Sequence, residues 1–226
     1  MDLNMMGKAA RDAFQVLART DGDQRRAGVR AIAEEIERCL ADIRMANEKD
    51  ITIAKEAGLH PALIDRLTLT DGRIAGLIAD LTALADLKDP IGEIIEERTM
   101  PNGLTLSRRR VPLGVLGVIY ESRPNVTIDV AALAIKTGNA VILRGGKETI
   151  NSNQILVNIV RSALRRHNLP ENAVQFIESP DRDLVREILR LNDYIDVIVP
   201  RGGNSLHDFC LKNANIPVIT GGIGIC

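Results

Sequence analysis

Aromatic residues are nearly absent from this chain of 226 residues, which has no tryptophan, two tyrosines and three phenylalanines. Nucleic-acid-binding surfaces use aromatic side chains to stack bases and clustered positive charge to hold phosphates. The aromatic content of 2% and the net charge of −1 therefore argue against a nucleic-acid partner.

Long hydrophobic runs and closely spaced cysteines are missing as well. No apolar run approaches the ~20 residues of a membrane span, and the polar N-terminus has no signal-peptide core. Cys39, Cys210 and Cys226 are too far apart in sequence for a disulfide framework or a zinc site. We therefore expect a cytoplasmic protein with no membrane association and no metal site. The remaining composition, 45% apolar and 26% charged, is that of a globular protein with one good core and room for a smaller second lobe.

The stretch from Arg108 to Asn153 has the pattern of a βαβ unit followed by a glycine-rich turn. Val111 to Tyr120 is apolar and β-branched, as in a strand that is buried on both faces. A polar loop follows, and a helix is predicted over Ile128 to Ile135 with a left-handed stop at Gly138. Ala140 to Leu143 then predicts a second short strand, which closes the crossover.

The same alternation continues toward the C-terminus. Strands are predicted over Ala173 to Ile177, Tyr194 to Val199 and Ile216 to Thr220, with helices between them. Repeated βα units predict an α/β fold, with an open, mainly parallel, Rossmann-like sheet and helices on both faces. The preceding sequence has helical periodicity. We therefore predict an N-terminal helical layer and connection over residues 1–102 and a dinucleotide-binding α/β domain over residues 103–226.

Three consecutive arginines, Arg108 to Arg110, end an alternating segment that begins at Thr105. One interpretation is an anion site for an acidic substrate or a cofactor phosphate. The other is a solvated edge strand or hairpin, and this second interpretation is favoured because charged residues are typical of exposed strands.

Two Gly-Gly turns each follow a predicted strand, precede a predicted helix and have an arginine directly before them. At the carboxyl end of a parallel strand, paired glycines let a phosphate approach the backbone, and the following helix N-terminus favours an anion. The alternative is an ordinary turn with solvated cations, since the sequence has no G-x-G-x-x-G motif after either strand. The predicted cofactor-binding residues are Arg144, Gly145, Gly146, Lys147, Arg201, Gly202 and Gly203.

Three blocks of the chain resemble the gamma-glutamyl phosphate reductases, a family of the aldehyde dehydrogenase superfamily. The blocks are RRRVPLGVLGVIYESRPNVTIDVAALAIKTGNAVILRGGKE, LRLNDYIDVIVPRGGNSLH and IPVITGGIGIC, and they occur in the order in which the family has them. The resemblance extends over essentially the whole chain.

This resemblance implies the reduction of L-glutamate 5-phosphate to L-glutamate 5-semialdehyde, with release of phosphate, in proline biosynthesis. A cysteine thiolate forms a thioester with the substrate, and hydride from NADPH reduces it. The resemblance puts Arg144 and Lys147 near the ribose 2′ position, which favours NADPH over NADH. It also makes Asn125 and Arg123 the candidates for an oxyanion-hole or substrate loop. The partners it implies are further copies of the full-length enzyme and glutamate 5-kinase.

The family's nucleophilic cysteine lies downstream of the last of these blocks, so no catalytic residue is assigned in this chain. We therefore expect the chain to be the N-terminal, cofactor-binding part of such an enzyme and to be inactive alone. The alternatives are a nucleotide-binding fragment without catalytic activity and another member of the aldehyde dehydrogenase superfamily.

Overall fold

The computed structural model describes residues 2–181 and 183–221 of the chain. Within these residues, a helical N-terminal region is followed by an exposed hairpin and then by alternating strands and helices. The helices are α1 Leu3–Leu17, α2 Gly22–Arg38, α3 Leu40–Glu56, α4 Pro61–Leu67, α5 Asp71–Asp86, α6 Asn125–Lys136, α7 Ile150–Arg166, α8 Asp183–Ile188 and α9 Asn204–Asn213. The strands are β1 Ile94–Thr99, β2 Thr105–Arg109, β3 Val115–Tyr120, β4 Ala140–Arg144, β5 Val174–Phe176 and β6 Val197–Arg201.

Local sequence signals set several boundaries in the helical region. The Asp2 carboxylate begins α1 by accepting hydrogen bonds from two amides of the first turn, at 2.9 and 3.1 Å. Pro61 is the first residue of α4, where its missing amide proton is not needed. The Thr70 hydroxyl begins α5 by accepting a hydrogen bond from the amide of Arg73. Gly58 follows the end of α3 with a φ of 68°, a left-handed conformation that favours glycine.

Strands β3 to β6 form a sheet with the order β5-β4-β3-β6, in which every neighbouring pair is parallel. The chain moves outward from β3 to β4 and β5, and then returns to place β6 on the other side of β3. Such a reversal opens a crevice at the carboxyl ends of the central strands, where sheets of this class bind ligands. The predicted α/β fold with a helical N-terminal layer and an open, Rossmann-like sheet is confirmed.

Several predicted boundaries were wrong. The first strand begins at Val115 instead of Val111, which is 73% exposed. The strand predicted over residues 194–199 occupies Val197–Arg201. The last predicted strand is reduced to a single parallel bridge between Val218 and Ile198, at the outer side of β6.

The hairpin of β1 and β2 lies outside the core, and every residue of both strands is exposed. Two of the three consecutive arginines form ion pairs beside it: Arg110 pairs with Glu93 at 2.9 Å, and Arg108 approaches Glu96 at 4.0 Å. The prediction of a solvated hairpin is therefore confirmed.

A single apolar cluster joins the helical region to the sheet. It includes Leu17 of α1, Ile32 of α2 and Leu143 of β4, all fully buried. A buried polar contact adds to this junction, because Lys136 Nζ of α6 donates a hydrogen bond to the carbonyl of Ala85 at 2.8 Å. The division into residues 1–102 and 103–226 stays a prediction. In residues 2–181 and 183–221, no helix is long and apolar enough to cross a membrane.

Candidate functional site

The two glycine turns lie at the same edge of the sheet. Strands β4 and β6 both pair with β3 in parallel, and the last residues of each, Arg144 and Arg201, are in register with Ile119 and Tyr120. Because parallel strands end at one edge, both turns open into the crevice where the strand order reverses. The turns flank β3 and are not direct neighbours.

A cavity of about 640 Å³ lies beside the first turn, within the size range of small-molecule sites. Arg144, Gly146 and Lys147, three of the predicted cofactor-binding residues, line it. The sequence did not indicate its other walls, because they come from segments that only the fold brings together. These walls include Glu121, Glu148, Arg186, Leu206 and Phe209.

A chain of buried hydrogen bonds supports the first turn from below. The Tyr120 hydroxyl contacts Thr127 Oγ1 at 2.6 Å, and Thr127 donates to Asn153 Oδ1 at 2.9 Å. The Asn153 amide donates to Thr149 Oγ1 at 3.0 Å, and Thr149 Oγ1 donates to the carbonyl of Gly146 at 3.2 Å. Burial raises the pKa of Tyr120 well above its usual range, so this hydroxyl stays neutral. The network fixes the shape of the turn.

The two cations of the first turn are placed differently. The Arg144 guanidinium donates hydrogen bonds to the carbonyls of Gly145 and Pro180, each at 3.0 Å, so it ties this turn to the loop after β5. Lys147 is exposed and has no side-chain hydrogen bond or ion pair with any residue that the structure describes. Lys147 is therefore the more available cation for a ligand in this cavity.

Another arginine, Arg186 of α8, also lines the first cavity. Its guanidinium pairs with Asp183 at 3.0 Å and lies 5.9 Å from the centre of the Phe209 ring. The helix that carries it begins at Asp183. Arg186 has no motif around it, so sequence reasoning did not find it.

The second turn holds a carboxylate. Gly203 directly precedes α9, and its amide donates a hydrogen bond to Glu121 Oε2 at 3.2 Å. A Cβ atom on Gly202 would lie 2.6 Å from Glu121 Cδ, so a larger residue there would displace the Glu121 carboxylate from this position. Because the N-terminus of a helix carries partial positive charge, Glu121 occupies the position that favours an anion.

A larger cavity, of about 850 Å³, opens at the second turn. Arg201, Gly202 and Gly203 line it together with Arg123, so the fold unites these predicted residues. Arg66 of α4 also lines this cavity, although it precedes the others by more than 50 residues and belongs to no motif.

Asn125 lies apart from the second turn. Its amide donates a hydrogen bond to Asp129 Oδ2 at 3.0 Å, and it lines a smaller cavity of about 310 Å³ between α4, α5 and α6. Arg66 and Arg123 line both this smaller cavity and the larger one. The fold therefore brings Arg123, and not Asn125, into one cavity with Gly202; the oxyanion-hole role stays a prediction.

Neither described cysteine is placed to act as a nucleophile in these cavities. Cys210 of α9 is fully buried, and this burial raises its pKa to about 11. Burial, followed by the charges of Glu35 and Asp42, also raises the pKa of Cys39. Cys226 lies outside the described residues.

Comparison with known proteins shows which family the chain belongs to. A model of the aldehyde dehydrogenase family matches residues 1–214. The chain belongs to the aldehyde dehydrogenase family. Among curated members, a gamma-glutamyl phosphate reductase of Psychromonas ingrahamii is 53% identical over the whole chain, which covers 54% of that protein. The resemblance drawn from the three sequence blocks is confirmed.

Solved structures of this aldehyde dehydrogenase family show the same fold. The gamma-glutamyl phosphate reductase of Thermotoga maritima is 41% identical with a TM-score of 0.97, over 99% of this chain and 54% of that one. The corresponding enzyme of Saccharomyces cerevisiae is 35% identical with a TM-score of 0.89, over 98% of this chain and 56% of that one. The chain thus spans about half the length of these aldehyde dehydrogenase family members.

Proposed function

We propose that the protein takes part in the NADPH-dependent reduction of L-glutamate 5-phosphate to L-glutamate 5-semialdehyde, with release of phosphate, in proline biosynthesis. The observation that carries the proposal is the meeting of two glycine turns at one sheet edge, with cavities of about 640 and 850 Å³ beside them. The identity of 53% with a gamma-glutamyl phosphate reductase supports this choice of substrate.

The first cavity fits the adenosine end of NADPH. Lys147 and Arg186 line it and supply the cations that bind a ribose 2′-phosphate. Arg144 ties the first turn to the loop after β5. Gly146 lets the first turn pack closely against the loop after β3, because a Cβ atom there would lie 3.1 Å from the amide nitrogen of Ser122. When bound, NADPH supplies the hydride for the reduction.

The second turn fits the pyrophosphate. Gly202 and Gly203 precede α9 and line the larger cavity, and the start of a helix favours a phosphate group. Arg201 adds a cation to the same cavity. We assign Arg123, which also lines this cavity, to an anionic group of the substrate, which carries both a phosphate and a carboxylate.

A second candidate function is nucleotide binding without turnover by this chain alone. The buried Cys210 and the position of Cys39 away from these cavities favour it, since the reduction needs an accessible thiolate. In this proposal the nucleophile does not lie within residues 2–181 and 183–221. The full-length enzyme is proposed to be a cytoplasmic homo-oligomer that associates with glutamate 5-kinase.

Cofactor choice is tested by Lys147→Gln, with Lys55→Gln as the matched control on an exposed part of α3. We expect Lys147→Gln to weaken NADPH binding about tenfold, the size of one charge-assisted hydrogen bond to phosphate, and to leave NADH binding nearly unchanged. Fluorescence titration with each nucleotide measures this difference. Equal losses for both nucleotides would contradict the assignment. Arg144 is less suitable, because its substitution also releases the loop at Pro180.

Turnover is tested separately, in the reverse direction. The purified chain is mixed with L-glutamate 5-semialdehyde, phosphate and NADP⁺, and the formation of NADPH is followed by absorbance. Nucleotide binding without NADPH formation supports the second candidate function for this chain. Phosphate-dependent NADPH formation at the rate of a complete enzyme would refute it.

A further inference from the structure

The smaller cavity, between α4, α5 and the start of α6, is lined by charges of both signs. Its volume of about 310 Å³ is at the lower end of the range for small-molecule sites. The cavity also adjoins the larger one, because two arginines line both. The charged residues of the smaller cavity are Asp65, Arg66, Arg73, Asp80, Arg123 and Asp129.

Two of these charges neutralise each other. The Arg73 guanidinium contacts both carboxylate oxygens of Asp65, at 3.0 and 3.1 Å, and also donates to the carbonyl of Thr68 at 2.8 Å. This pair joins the end of α4 to the first turn of α5. It therefore builds the wall of the cavity and leaves the other four charges for a ligand.

The remaining four charges have no ion-pair partner within 4.0 Å among residues 2–181 and 183–221. Arg66 and Arg123 also have no side-chain hydrogen bond in this part of the chain. Among the described residues, Asp129 accepts a side-chain hydrogen bond only from the neutral amide of Asn125. The cavity thus offers two cations and two anions at once.

The two carboxylates are close enough to influence each other. Burial raises the pKa of Asp129 most, and the charge of Asp80 raises it further. A cation bound beside both carboxylates would relieve this repulsion. An ammonium group has the charge and the hydrogen-bond donors for that position.

Buried hydrogen bonds hold the backbone that follows Arg66. The side chain of Asn47, on α3, donates to the carbonyl of Leu67 at 2.8 Å and accepts from the amide of Leu69 at 2.7 Å. Leu67 directly follows Arg66, so the core holds the backbone next to this arginine. The backbone at this wall therefore does not have to become ordered when a ligand binds.

We propose that the smaller cavity binds the amino-acid end of the substrate, with its acyl phosphate end in the larger cavity. Asp80 and Asp129 bind the α-ammonium group, and Arg66 and Arg123 bind the α-carboxylate. This assignment rests on the proposed function, and it makes these four side chains the determinants of specificity for an L-amino acid.

The test uses L-2-amino-5-phosphonopentanoate, an unreactive phosphonate, with its D-enantiomer and the des-amino compound 5-phosphonopentanoate. Calorimetric titration of the whole chain measures each affinity. We expect the L-enantiomer to bind at least about tenfold more tightly than the other two compounds. The des-amino compound has no ammonium group to bind the two carboxylates, and the D-enantiomer directs its ammonium group away from them. Equal affinities for the three compounds, or no binding of the L-enantiomer, would overturn the proposal.

Variants separate the two ends of the amino acid. Asp80→Asn should weaken binding of the L-enantiomer about tenfold and leave the des-amino compound unaffected. Arg66→Gln should weaken both, and Arg190→Gln, an exposed arginine outside the cavities, should weaken neither. An equal effect of Asp80→Asn on both compounds would overturn the ammonium assignment.

A parallel NADPH titration separates this inference from the proposed function. If the L-enantiomer is preferred but NADPH does not bind, the cofactor proposal fails and the amino-acid site stands. If NADPH binds and no preference is seen, the amino-acid site alone is refuted.

Discussion

Replacing Gly145 by alanine tests whether the first turn is fixed by its buried support. Gly145 does not have a positive φ, so its backbone conformation suits any residue. Space is the constraint: an added Cβ atom would lie closer than 3.0 Å to Asn153 Nδ2 and 3.1 Å from Tyr120 Cζ. The methyl group must therefore displace the Asn153 amide from its hydrogen bond with Thr149.

The expected loss of stability has two parts. Inserting a methyl group into a packed interior costs about 1–3 kcal/mol. A buried amide that loses its partner costs a further ~1–3 kcal/mol. The same local shift of side chains reduces both costs, so they do not add in full. We therefore expect Gly145→Ala to lower the free energy of unfolding by about 2–4 kcal/mol.

Gly72→Ala is the matched control, because it makes the same chemical change in the first turn of α5 with nothing within 4 Å of the new Cβ atom. Replacing a glycine by alanine within a helix raises the free energy of unfolding by about 0.5–1 kcal/mol. Urea unfolding followed by circular dichroism compares the two variants with the parent. With a slope of ~2–3 kcal/mol/M, the midpoint for Gly145→Ala should fall by about 1 M. A midpoint equal to that of the parent would refute the reasoning.

Two further predictions concern buried and partly buried carboxylates. Asp50→Ala should lower the free energy of unfolding by about 3 kcal/mol in urea, because this buried carboxylate accepts hydrogen bonds from Asn151 and Ser152 at 2.6–3.2 Å. A loss below about 1 kcal/mol would show that the start of α7 finds other partners. Asp129→Asn should instead raise the free energy of unfolding at pH 7 by about a few tenths of a kcal/mol, because this carboxylate is only partly removed from solvent and water screens its charge. Since the folded-state pKa of Asp129 is raised from 3.8, its ionised form destabilises the folded protein above that pKa. The gain from asparagine should therefore disappear in unfolding measured below pH 3.8; a gain independent of pH would contradict the argument.

Much of the fold was predictable because its signals are local. The Thr70 cap, the proline that begins α4 and the left-handed Gly138 act within one helical turn of their own positions. The repeated alternation of apolar strands and amphipathic helices is likewise visible in short windows, and it predicts a parallel sheet.

Boundaries that depend on distant contacts were not predictable. Val111 and Leu113 are as apolar as the strand that follows, yet they are 73% and 61% exposed. The strand begins where the Asp196 carboxylate accepts the amide of Val115 at 2.7 Å and Arg11 holds that carboxylate at 2.8 Å. Both partners are remote in sequence, so no local pattern marks the start of β3.

Some residues of the candidate site could likewise be predicted from local sequence, and others could not. The glycine turns were found because a strand, two glycines and a helix are consecutive in the chain. Arg66 and Arg186 join the cavities of these turns only after folding, from two different helices, and Asp80 of a third helix lines the adjoining smaller cavity. Their surrounding sequence is that of ordinary solvated helix faces, which explains why no motif marked them.

The carboxylate of Glu121 at the start of α9 changes what binding there means. Its hydrogen bond to the amide of Gly203 is made before any ligand arrives. An anionic ligand that binds here must displace the Glu121 carboxylate from the Gly203 amide. Its affinity therefore reflects the difference between its own interaction with the helix N-terminus and that of the carboxylate. The displaced Glu121 side chain must then pair with another cation, and Arg123 and Arg201 line the same cavity. Tight binding at this helix then depends as much on where the glutamate goes as on the incoming group itself.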